Sequence, residues 1–119
     1  SREYYGLVES YNISLIDFSC AGDSGNLRKV WTKLLELDTD RYPYFDISLL
    51  PIDASSETDA LLTITGHTGS GREFTLFQGR PTYDQTEYLI NVRSITGGAT
   101  LNKITISVEC DNYARLDTP

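Results

Sequence analysis

The chain has 119 residues, 39% of them hydrophobic and 23% charged, the composition of a protein that buries a core and not of a disordered segment. A chain of this length is expected to fold as one domain, residues 1–119, hiding roughly two-thirds of the surface it exposes when unfolded. Ten Lys and Arg against 17 Asp and Glu leave a net charge of -7, a field that repels phosphate backbones and excludes nucleic acid as a partner class. Membrane insertion is excluded as well, since no apolar run reaches the roughly 20 residues needed to span a bilayer.

The first residues, SREYYG, lack the pattern of a signal peptide. The segment YNISLIDFSC, residues 11–20, reads as a strand whose in-out phase shifts near Leu15 and Ile16, the mark of a bulge or of burial on both faces. Its Asn12-Ile13-Ser14 fits an N-glycosylation acceptor, a pattern too common by chance to assign a compartment. In SCAGDSGN, residues 19–26, Gly22 and Gly25 suit a sharp turn, and Asp23, Ser24 or Asn26 suits the cap of a following helix. That helix is expected over about residues 26–38. Leu27, Val30, Trp31, Leu34 and Leu35 fall on one helical stripe, with Arg28, Lys29, Thr32, Lys33 and Glu36 on the other face.

Beyond Pro43 the pattern alternates with period 2. Phe45, Ile47 and Leu49 alternate with Asp46 and Ser48; Leu62 and Ile64 with Thr63 and Thr65; Phe74 and Leu76 flank Thr75. Tyr88, Ile90 and Val92 then alternate with Leu89, Asn91 and Arg93, and Ile104, Ile106, Val108 and Cys110 share one face of ITISVEC. The segments SSETD, GHTGSGRE, QGRPTYDQ and TGGAT supply the Gly, Pro, Asp and Ser of connecting turns, so successive strands are expected to pair as antiparallel hairpins. The expected fold is α+β: a mainly antiparallel β-sheet of about six strands with the one amphipathic helix packed on a face. A β-sandwich with a helical insertion is the alternative.

The run from the helix through YFDISLLPIDASSETDALLTITGHTGSGREFTLFQ to YLINVRSI resembles the helix and long curved strands of the nuclear transport factor 2-like, or cystatin-like, fold. The resemblance covers about two-thirds of the chain and rests on pattern without a specific motif. The long N-terminal helix of that fold has no counterpart here, and ATLNKITISVEC is an additional strand. Such an architecture implies a small-ligand pocket between helix and sheet, around Trp31.

Several motifs invite a catalytic reading. Gly22-Asp23-Ser24-Gly25 resembles the nucleophile segment of trypsin-like proteases, and its place between a strand and a helix resembles that of the Gly-Asp-Ser-Leu esterases. A serine hydroxyl needs a positioned base, and the single histidine, His67, lies in a Gly-rich turn, with none near the C-terminus where those esterases carry theirs. A small serine esterase using Ser24 is therefore an alternative, and a helix cap is the preferred reading of Ser24. GHTGSGRE, residues 66–73, has the glycine spacing of a phosphate-binding loop, but Arg72 and Glu73 stand where Lys and Ser or Thr are required and a strand follows. No cofactor is expected. Asp38 with Asp40, and Asp53, Glu57 and Asp59, lack the glycine and terminal glutamate of a calcium loop, so no metal is expected either.

Cys20 and Cys110 stand far apart in the chain. A disulfide between them would constrain the unfolded state by roughly 4 kcal/mol and would suit an extracellular, periplasmic or virion surface, whereas two buried thiols would suit a reducing compartment. Eight tyrosines are the most distinctive feature of the composition, with Tyr42 and Tyr44 flanking Pro43. Exposed Tyr offers rigid contact area with a polar tip. The expected function is a non-catalytic protein-binding or assembly module, able to form a homo-oligomer, acting through Tyr-rich loops and exposed strand edges. Tyr42, Tyr44, His67 and Arg72 are its candidate contact residues.

Overall fold

Most of the period-2 alternation becomes strand in the computed structural model, which describes residues 4–6, 28–49, 60–80 and 85–110. In chain order the elements are β1 (Tyr4–Gly6), β2 (Arg28–Asp38), β3 (Tyr44–Ser48), β4 (Ala60–Thr68), β5 (Glu73–Gly79), β6 (Glu87–Asn91), α1 (Val92–Thr96) and β7 (Thr100–Cys110). They form a three-stranded sheet ordered β1-β3-β6 and a four-stranded sheet ordered β2-β7-β4-β5. All pairings are antiparallel except β1 with β3. The protein is thus mainly β, with one short helix among the described residues.

The expected helix over 26–38 is not there: residues 28–38 are β2. Trp31 and Leu35 fall on the apolar side of either periodicity, so the two patterns are partly degenerate over this segment. As a strand it turns Trp31, Leu35 and Leu37 inward and leaves Val30 48% and Leu34 75% exposed, the two residues a helical stripe would have buried. The deciding factor is non-local. β7 is an 11-residue strand of the sheet interior and needs a neighbour of comparable reach. Eleven residues span about 36 Å as a strand but only about 16 Å as a helix. β2 accordingly pairs with β7 from Arg28↔Glu109 to Asp38↔Thr100, with a bulge between Leu34 and Leu37. Val30, Trp31 and Thr32, β-branched or aromatic, favour the pleated conformation locally.

One core lies between the two sheets. Across the four-stranded sheet the pairings align Trp31, Ile106, Ile64 and Phe77 in a single inward row. From the three-stranded sheet Phe45 pairs with Ile90 and Ile47 with Tyr88, and all four side chains are buried. Phe77 and Tyr88 meet edge to face, ring centroids 5.2 Å apart, which joins the sheets directly. Such a pair of packed sheets is the arrangement held above as the alternative, although the helical insertion falls at α1 and not at 26–38.

Val92, expected to continue a strand, instead starts α1. The Asn91 side chain accepts a hydrogen bond from the Ser94 amide at 3.2 Å, and Gly97 closes the helix with φ of 72°. The turn after β2 is tied to this helix by a buried polar contact: Thr39 Oγ1 donates to the Ala99 carbonyl at 2.6 Å and lies 2.8 Å from Thr96 Oγ1. Gly66, read from sequence as a turn residue, sits inside β4, where a Cβ would lie 2.8 Å from Leu101 Cδ1. Among the described residues no helix is long and apolar enough to cross a membrane.

Candidate functional site

The outer face of the four-stranded sheet is built from the residues that alternate with the core. Leu34, Lys103, His67 and Glu73 occupy successive positions across it, and Thr32, Thr105, Thr65 and Thr75 form the neighbouring row. His67 is held between two of these neighbours: Nε2 is 3.1 Å from Thr105 Oγ1, and Nδ1 is 3.8 Å from Glu73 Oε2. Beside it opens a shallow concavity of about 490 Å³ bordered by Leu34, His67, Gly69, Asn102 and Lys103.

Hydroxyl, imidazole and carboxylate stand here in the order of a nucleophile, a base and its orienting acid. Acyl transfer also needs donors aimed at a developing oxyanion. Thr105 and His67 lie on the two interior strands, which are paired on both sides with register shifts between Ile64 and Thr65 and between His67 and Thr68. Gln78 Nε2 donating to Thr63 Oγ1 at 3.2 Å adds another polar cross-strand contact on the same face.

Arg72 does not join His67. Its guanidinium lies 4.8 Å above the ring of Phe74, which pairs with Gly66 and so belongs to the opposite face from His67. Tyr42 is half-buried and packs against the core, with the Arg41 guanidinium 5.1 Å from its ring centroid. Tyr44, on β3 opposite Asn91, borders a second concavity of about 480 Å³ with Pro43, Arg93, Ser94 and Gly97. Tyr44 and His67 thus line separate concavities, and the four sequence candidates do not make one site.

Asp38 and Asp40 serve the turn after β2. Asp38 Oδ1 accepts from the amides of Asp40 and Arg41 at 3.0 and 3.4 Å, and Asp40 pairs with Arg93 at 3.2 Å. Among the described residues no three ligating side chains gather as a metal site would require. Ser24, Asp53, Glu57 and Asp59 lie outside the described residues, as does Cys20; Cys110 ends β7 opposite Ala60. The pocket expected beside a helix at Trp31 has no helix to line it, and Trp31 packs against the core.

The sequence reading expects exposed strand edges but places none at residues 28–38, which it reads as helix. Among the described residues β2 is paired on one side only, and its outward side chains are Arg28, Val30, Thr32, Leu34, Glu36 and Asp38. A period-2 count over 28–38 would have exposed that set, with two large apolar residues in it. Comparison of the chain with protein-family models, with curated proteins and with solved structures returns no match.

Proposed function

We propose that the chain is a non-catalytic protein-binding or assembly module that engages a protein partner along the outer edge of β2. One observation carries this reading: an 11-residue strand that is the sheet edge among the described residues and exposes Val30 and Leu34. Typical strands run about 5–6 residues. Long edges with apolar side chains invite pairing by another chain; β2 carries charges and a bulge between Leu34 and Leu37, devices that protect many edges, yet leaves Val30 and Leu34 exposed among them. A partner strand added there gains main-chain hydrogen bonds for affinity and side-chain pairing for specificity.

The test is affinity capture from the producing cells with the parent chain and with a Val30→Lys/Leu34→Lys variant, both checked for fold by circular dichroism. A protein held by the parent and lost by the variant supports the reading. If nothing captured depends on Val30 and Leu34, edge docking is wrong.

A further inference from the structure

Resting on the edge-docking reading, we infer that the partner strand is β2 of a second copy of this chain, paired antiparallel about a two-fold axis at Thr32. Two four-stranded sheets then become one continuous sheet. The argument lies in the order of charges and apolar groups along the strand. Directly opposite residues in an antiparallel pair share a face, so a two-fold pairing must be centred on a residue and not between two. Centred on Thr32, the outer face sets Arg28 against Glu36, Val30 against Leu34, and Thr32 against its own copy; symmetry repeats the first two. The two exposed apolar side chains of the edge cover one another, and the charges beyond them are of opposite sign. On the inner face Trp31 meets Lys33 and Lys29 meets Leu35, an indole-ammonium contact and an aliphatic stem on an apolar neighbour.

The adjacent registers fail on the same residues. Centring on Lys33 opposes the two Lys33 ammonium groups and sets Val30 against Glu36. Centring on Trp31 sets Lys29 against Lys33 and leaves Leu34 opposite Arg28. Only Thr32 avoids like charges among these three. Among the described residues the other edge of the sheet is β5, seven residues long, and none of its side chains is among the exposed large hydrophobics. An isologous β2 contact closes on itself and stops at a dimer, while a β2-to-β5 contact would run on as an open assembly.

Sedimentation over a range of concentrations, with reductant present to keep Cys20 and Cys110 from linking copies, is expected to show a reversible dimer. Glu36→Lys sets a lysine opposite Arg28 twice per dimer and is expected to weaken association roughly tenfold or more. The Arg28→Glu/Glu36→Lys double variant exchanges the charges and is expected to restore it. With Thr32→Cys, a short thiol cross-linker is expected to join residue 32 to residue 32, as peptide mapping would read. A chain that stays monomeric at every concentration overturns self-pairing, as does a dimer indifferent to Glu36→Lys or one cross-linked through other positions. Capture that still depends on Val30 and Leu34 after such a failure would leave edge docking standing with a different partner; loss of both results would sink both.

Discussion

Truncating Leu37 and Leu34 separately to alanine measures which side of residues 28–38 faces the core. Leu37 is fully buried among the core residues, so Leu37→Ala removes packed methyl groups and leaves a cavity, a change expected to cost about 2–5 kcal/mol. Leu34 is 75% exposed, and the quarter of its surface that is covered is worth about 0.5 kcal/mol. With roughly 3–6 °C of melting temperature per kcal/mol at this chain length, Leu37→Ala should melt at least about 6 °C lower and Leu34→Ala within about 3 °C of the parent. Urea unfolding followed by Trp31 fluorescence and far-ultraviolet circular dichroism, at concentrations too low for association, gives both numbers. A helix packed through the stripe at Val30, Trp31 and Leu34 demands the reverse order. If Leu34→Ala costs 2 kcal/mol or more, or Leu37→Ala less than 1, the strand assignment and the edge it creates are refuted.

Burial pushes the Tyr88 phenol up to about 12 from its ordinary value of 10, because the core solvates its anion poorly. The folded state therefore holds that proton more tightly than the unfolded state. The associated stability is present below pH 10 and lost as the pH rises toward 12. Tyr88→Phe should remove that step from urea midpoints measured between pH 9 and 12; an unchanged profile would contradict it. Thr39→Val deletes the donor to the Ala99 carbonyl and the contact with Thr96, and is expected to cost about 1–2 kcal/mol, with Thr39→Ser recovering most of it. Equal midpoints for the two variants would argue against the hydroxyl bridge. Gly66→Ala drives a Cβ into Leu101 and Leu76, both buried. Overpacking of about 1–3 kcal/mol should outweigh the roughly 0.5–1 kcal/mol gained by removing a strand glycine, so urea midpoints should fall. A rise would mean that the Leu101 side chain moves aside freely.

The strands at 44–48, 60–68, 73–79, 87–91 and 100–110 are legible because each alternates between turn signals and no competing period is present. Within them the inward set, including Phe45, Ile47, Leu62, Ile64, Ile104, Ile106 and Val108, is the one that alternation marks. The contact residues were harder to read. His67 is where a polar outer face would put it, but its partners Thr105 and Glu73 come from two other strands and share no local motif with it. Tyr42 looks like a surface anchor in sequence and is half-buried because the turn after β2 folds it against the core.

Local alternation by itself determined a mainly antiparallel sheet, read together with a helix as α+β, and which residues of most strands face inward, since side-chain direction along a strand follows from backbone geometry alone. It could not assign 28–38, where Trp31 and Leu35 satisfy both periods, or 92–96, where a strand-like run becomes a capped helical turn. Tertiary structure decided both. β7 required a neighbour as long as itself, and Thr39 bound the turn after β2 to Thr96 of α1 and to Ala99 beyond it. The exposure of Val30 and Leu34, on which the proposed function rests, is a consequence of that non-local pairing.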